Sequence, residues 1–255
     1  MSSFLKMFRR VALSTAVGTA LVMSSIVPAQ AVVGGFNSNQ GATVKLWAYG
    51  YKAADLLCSG SHIGQGWVLT AKHCVNDIGV NTDSTRVVWG NPNINWNTEN
   101  YSGSNSSVDE IVTNPDSKKD LALVHAPGLA QSWAPSYYLR SGGQAEDLKN
   151  ASCIAYGYGL WKDDFYANGA YAKHQRGLNV RITTARTNIT SSNSSQLRGK
   201  GHNGGFLNTG DSGGSLICNG VLSGVTVAYW PGSNTNTFMS ISDAERQWIT
   251  DVTGI

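Results

Sequence analysis

Along the chain, apolar residues come in short runs rather than at helical spacing. The runs are Thr43 to Tyr49, Trp67 to Thr70, Arg86 to Trp89, Leu121 to His125, Cys153 to Tyr158, Leu178 to Ile182, Ser215 to Cys218 and Val221 to Val227. Between them lie segments dense in Gly, Asn, Ser and Asp, which turn easily because they tolerate left-handed backbone or bond their own main chain. Thr190 to Ser195 is a polar tract that reads as an exposed loop. Many short strands without an interleaved helical pattern predict a sandwich or a barrel.

One segment breaks the pattern. Ser242-Asp243-Ala244-Glu245 has capping-box spacing, with Ser at the cap and Glu three residues on. Ala244, Trp248, Ile249 and Val252 then share one helical face, so the chain is expected to end in an amphipathic helix. The 255 residues suffice for one large or two modest domains. No linker of distinct composition divides them, although two small barrels can abut without one.

Composition narrows the class. Only 14% of residues are charged, against roughly 25% in ordinary soluble domains, which argues against disorder and against coiled coils. The net charge of +3 resides in the first ten residues: without Lys6, Arg9 and Arg10, 16 of the 19 basic residues remain against 16 acidic ones. The rest of the chain therefore has no basic footprint for nucleic acid. Those three cations precede an apolar stretch from Val11 to Val27, and Ala29-Gln30-Ala31 follows as an A-x-A cleavage site. Residues 1–31 are thus expected to be a removed secretory signal and residues 32–255 the mature domain. The product should be extracellular, free of the membrane and monomeric.

Four cysteines in an exported chain suggest two disulfides in one of three pairings: Cys58, Cys74, Cys153 and Cys218. No CxxC or HxxxH spacing calls for a metal.

The sharpest chemical signal is Gly210-Asp211-Ser212-Gly213-Gly214. Glycines on both sides of a serine permit a tight turn that exposes its hydroxyl. That hydroxyl is a poor nucleophile until a base takes its proton. Thr70-Ala71-Lys72-His73-Cys74 offers an imidazole at the end of one apolar strand, and Asp120-Leu121-Ala122-Leu123-Val124 offers a carboxylate at the start of another. Taken singly, these are a polar turn, a core histidine and a strand cap. Together they supply the three roles of a nucleophile relay.

In that order, with Val32-Val33-Gly34-Gly35 at the expected new N-terminus, these motifs resemble the trypsin/chymotrypsin-like serine protease family over essentially the whole mature chain. The resemblance implies an all-β fold of two antiparallel six-stranded β-barrels with a C-terminal helix and the site between them. It makes Ser212 the nucleophile, His73 the general acid–base and Asp120 its orienting carboxylate, with the N–H groups of Gly210 and Ser212 as the oxyanion hole. It also implies the disulfides Cys58–Cys74 and Cys153–Cys218, and a buried pair between Asp211 and the freed amine of Val32. Because the cleavage site abuts Val32, export alone is expected to complete activation.

The pocket departs from the family pattern. Phe206 takes the position six before the nucleophile, where Lys/Arg-specific members carry Asp. Asn208 replaces a cysteine that commonly braces the pocket, and Gly204 and Gly205 loosen the same wall. Val227-Ala228-Tyr229 stands where Ser-Trp-Gly is usual, so Tyr229 is expected to narrow the mouth if both rings point inward. Lys72, beside His73, reads as a solvated lysine. Asn188 heads a glycosylation sequon.

The function these features imply is a secreted endopeptidase acting on polypeptides, without cofactor and without preference for Lys or Arg. Two alternatives use the same fold: an esterase with the same triad, and a noncatalytic binding protein.

Overall fold

The computed structural model describes residues 32–48, 57–76, 81–95, 100–160, 174–191, 196–230 and 234–255. The expected signal segment, residues 1–31, lies outside them, as does Tyr49.

Among the described residues the strands are β1 (Phe36–Asn37), β2 (Thr43–Ala48), β3 (Leu57–Gly64), β4 (Trp67–Thr70), β5 (Thr85–Asn95), β6 (Asn100–Ser107) and β7 (Glu110–Thr113). They continue as β8 (Ala122–His125), β9 (Ser152–Gly157), β10 (Arg176–Ala185), β11 (Leu197–Gly201), β12 (Ser215–Cys218), β13 (Val221–Trp230) and β14 (Thr235–Ser240). The first half of the chain forms one sheet in the order β6-β5-β2-β3-β4-β8-β7, which curls into a half-barrel. The second half, joined by β1 from near residue 36, forms β1-β10-β11-β14-β13-β12-β9, and an extra pairing of β9 with β10 closes six of those strands into a barrel.

Burial explains the strand patterns. All four residues of β4, and Ala122 to Val124 of β8, are buried, so these central strands are covered on both faces. In β10 the pattern alternates: Leu178, Val180 and Ile182 point into the barrel core while Asn179, Arg181 and Thr183 point out. Leu197, Leu207, Leu216 and Phe238 fill that core, and Val32 sits fully buried among them.

A layer of hydroxyls joins the two halves. Ser215 Oγ bonds Ser61 Oγ at 2.7 Å and Thr43 Oγ1 at 3.0 Å, all three residues fully buried. Buried polar groups of this kind are tolerated because each finds its partner across the boundary.

The C-terminal helix α3 spans Asp243–Thr253, with α1 (His73–Asn76) and α2 (Pro127–Ala130) as single turns. Ser242 N–H donates to Glu245 Oε2 at 3.1 Å, as the capping box requires. The buried face differs from the expected one. Ala244 is exposed, and Glu245, Ile249 and Thr253 form the buried row, with Trp248 and Val252 half-buried. Glu245 goes inside because Lys119 Nζ pairs with its Oε1 at 2.5 Å. No helix among the described residues is long and apolar enough to cross a membrane.

Candidate active site

Strand register brings His73 and Asp120 together. β4 and β8 run antiparallel with Thr70 opposite Ala122, so the chain leaving β4 passes the chain arriving at β8. His73 opens α1 there, and Asp120 lies two residues before β8 begins. The carboxylate receives two bonds: His73 N–H donates to Oδ1 at 2.9 Å, and the ring meets Oδ2 through Nδ1 at 2.7 Å. Burial alone pushes the Asp120 carboxyl up. The ring bond, the histidine's charge and the N–H groups of His73 and Lys72 outweigh it and hold the carboxyl below its ordinary range. The imidazole remains 39% exposed.

The Ser212 turn is locked from three sides. Ser59 N–H donates to Ser212 O at 2.7 Å, and Gly213 N–H to Thr226 O at 2.7 Å. Gly213 has φ +80°, and a Cβ there would lie 2.1 Å from both Ser59 O and Thr70 Oγ1, so only glycine fits. Ser59 follows Cys58, which is disulfide-bonded to Cys74, the neighbour of His73. A hydrogen bond and a disulfide thus tie the segment carrying Ser212 to the one carrying His73 through Ser59 and Cys58. The second disulfide joins Cys153 and Cys218 across β9 and β12. Both pairings are those the family resemblance implies, and they fit an extracellular protein.

Those sulfurs also decide the metal question here. Cys58, Cys74 and His73 place donor atoms within 4.8 Å of one another, but the disulfide leaves neither cysteine a thiolate to ligate with.

Asp211 is fully buried. Its Oδ1 accepts from Gly159 N–H at 2.8 Å and its Oδ2 from Asn208 N–H at 2.9 Å. Burial pushes its carboxyl up to about 7, against the pull of those bonds and of the Arg176 charge. In the uncleaved chain the Val32 nitrogen is an amide. Arg176, itself buried, clasps the segment after Val32 by donating to Gly35 O at 3.0 Å and to Asn37 Oδ1. Burial lowers its guanidinium to about 10, with the Asp211 charge acting the other way.

Phe206 and Tyr229 face each other. Their rings stack at 4.4 Å between centroids and 10° between planes. Phe206 N–H donates to Val33 O, and Leu207 N–H to Asn236 Oδ1, which fix the wall that Asn208 leaves without a cysteine. Val227 falls at an irregularity between Thr226 and Ala228, and Ala228 is exposed.

Several contributors escaped the sequence reading. Ser59 Oγ donates to Gly210 O at 2.9 Å, a role no motif signals for a lone serine. Lys72 is half-buried rather than freely solvated, and its Nζ donates to Asn114 O and to Asp116 O, clamping the loop that leads to Asp120. Thr70 and Arg176 were equally silent.

A closed β-barrel and a curled half-barrel, a C-terminal helix and a His–Asp pair beside a locked serine turn define the chymotrypsin-like fold. The chain belongs to the trypsin family, whose model, Trypsin, matches residues 32–249. It is 26% identical to Kallikrein-1 of Mus musculus over 216 residues, spanning 76% of this chain and 78% of that one. It is 32% identical to chymotrypsin-like elastase family member 1 of Canis lupus familiaris over 116 residues, 41% of this chain and 42% of that one. Among solved structures it resembles the scabies mite inactivated protease paralogue S-D1, with a TM-score of 0.63 and 15% identity, covering 88% of this chain and 98% of the other. That last likeness speaks to the fold alone.

Proposed function

We propose that this trypsin-family protein is a secreted serine endopeptidase that hydrolyses polypeptides through an acyl-enzyme. The observation that carries the reading is the pair of hydrogen bonds between His73 and Asp120, beside the segment that holds the Ser212 turn.

With Nδ1 engaged by the carboxylate, Nε2 is the basic atom. It takes the Ser212 hydroxyl proton as Oγ bonds the scissile carbonyl carbon. The N–H groups of Gly210 and Ser212 meet the negative oxygen that forms, each donor of this kind being worth about 3 kcal/mol. Collapse breaks the C–N bond, and His73 passes its proton to the leaving amine. Water repeats the sequence on the ester, releasing the acid and restoring Ser212.

Removal of residues 1–31 completes the site. It frees the Val32 amine, whose positive charge pairs with Asp211 and offsets the burial of that carboxylate. The stacked Phe206 and Tyr229 leave room for a small side chain before the cut rather than a long cation or a large ring. The same stack is what favours the esterase alternative, since small acyl groups need little pocket.

The test is labelling with a fluorophosphonate. The processed wild type should gain one phosphonyl group on Ser212 with loss of fluoride, while Ser212→Ala stays unlabelled. A wild type that resists labelling would remove Ser212 from the nucleophile's role.

A further inference from the structure

On the closed barrel, β9, β10 and β11 frame a groove of about 760 Å³. It is lined by Ser152, Asn179, Arg181, Lys200, His202 and Asn203 among others, with three basic side chains and no acidic one. Strand geometry forces the basic residues together. Arg181 and Lys200 are direct partners in the β10–β11 register, and both are exposed. Opposed residues on one face stand with Cβ atoms roughly 5 Å apart, where like charges destabilise a sheet. Arg198 lies two residues before Lys200 on the same exposed face, and His202 continues the row beyond it. Arg181 and Lys200 thus stand side by side on one exposed barrel face, with Lys200 Nζ also donating to Thr235 Oγ1 at 3.3 Å.

The groove also adjoins the pocket. The single 3₁₀ turn His202–Gly204, closed by Gly205 N–H donating to His202 O at 2.9 Å, leads straight into Phe206. Four residues span at most about 14 Å of chain, so the groove and the Phe206 wall lie within that distance of each other.

We propose that this groove is an exosite for an acidic stretch of the polypeptide substrate, a few residues from the bond that is cut. Carboxylates of Asp or Glu side chains would sit between Arg181 and Lys200, while Ser152, Asn179 and Asn203 offer polar partners to the peptide backbone. The substrate assignment rests on the peptidase reading; the anion site itself does not.

The experiment therefore reads binding without turnover. Processed Ser212→Ala protein is titrated into fluorescein-labelled hexaglutamate, and anisotropy is followed at low and moderate salt. The inference expects binding that weakens with salt, at least tenfold tighter than that of hexaglutamine. In the Arg181→Glu/Lys200→Glu variant it should fall at least tenfold, with Arg181→Gln/Lys200→Gln in between and the melting temperature of each recorded. Charge-reversed protein that melts normally yet binds equally well overturns the proposal. So does tighter binding of a sulfated oligosaccharide or inorganic phosphate than of the acidic peptide, since that would name another occupant. A protein that takes the fluorophosphonate but ignores hexaglutamate loses the exosite and keeps the peptidase reading; one that binds the peptide but resists the label does the reverse.

Discussion

Ser59 Oγ donates to the carbonyl of Gly210 at 2.9 Å, a bond from the N-terminal sheet to the turn that carries Ser212. The same oxygen accepts from Tyr158 N–H at 3.0 Å, so the hydroxyl is held at both ends. Through this one side chain each half of the fold sets the position of Gly210.

Replacing Ser59 by Ala leaves a buried carbonyl without its donor and lets the Gly210 peptide drift. The expected outcome is a loss of about 1–3 kcal/mol in stability. On the folded protein, kcat should fall about tenfold with KM little changed, because a misplaced oxyanion donor acts on the transition state. Steady-state kinetics below the melting range check this; a change confined to KM would disconnect Ser59 from the oxyanion turn.

Asp120→Asn keeps the shape of the site while removing the charge that fixes the imidazole's tautomer. A loss of about 10⁴ in kcat is expected, the size seen for this substitution in the family's triad, with the fold retained. Circular dichroism beside kinetics separates the two effects.

The Asp211 carboxyl gives a pH signature. Its folded value of about 7 lies above the ordinary 3.8. The folded, uncleaved chain therefore keeps a proton that the unfolded chain gives up, so its contribution is full below about 4 and is lost as pH rises toward 7. A chain retaining Gln30 and Ala31 should be more stable to urea at pH 4.5 than at pH 7.5, and Asp211→Asn should flatten that slope. A chain beginning at Val32 should show little of it, because the amine reverses the shift.

Tyr229→Gly removes one ring of the stack. Cleavage after Leu or Phe should rise about tenfold or more in kcat/KM, the scale at which apolar pockets discriminate by size. Unchanged preference would mean that the stack does not bound the pocket.

Much of the architecture is legible in the sequence because β4, β8 and β12 are buried apolar runs, β10 alternates apolar and polar residues, and α3 announces its own cap. The strands that escaped notice are β1, β3, β6, β7, β11 and β14. β3 reads LCSGSHIG, and its Ser59 and Ser61 look like turn residues, yet both are fully buried. Their hydroxyls bond across the barrels, a tertiary fact that no local pattern encodes. Gly60 is there for packing: a Cβ on it would meet Val68 Cγ1 at 2.5 Å. β11, LRGKG, hides for the same reason. The candidate triad was visible as three motifs, whereas Ser59, Lys72 and Arg176 act through hydrogen bonds to groups distant in sequence, which no local pattern marks. Phe206 and Tyr229 were placed by resemblance, but only packing turned their rings face to face.

The central claim, that the Ser212 corner cuts peptide bonds, is met most directly by one measurement. Purified protein beginning at Val32 is incubated with a chemically diverse peptide library read by mass spectrometry, with Ser212→Ala run in parallel. The account predicts cleavage by the wild type alone, with small uncharged side chains before the cut. No cleavage by either protein, or equal cleavage by both, would contradict it.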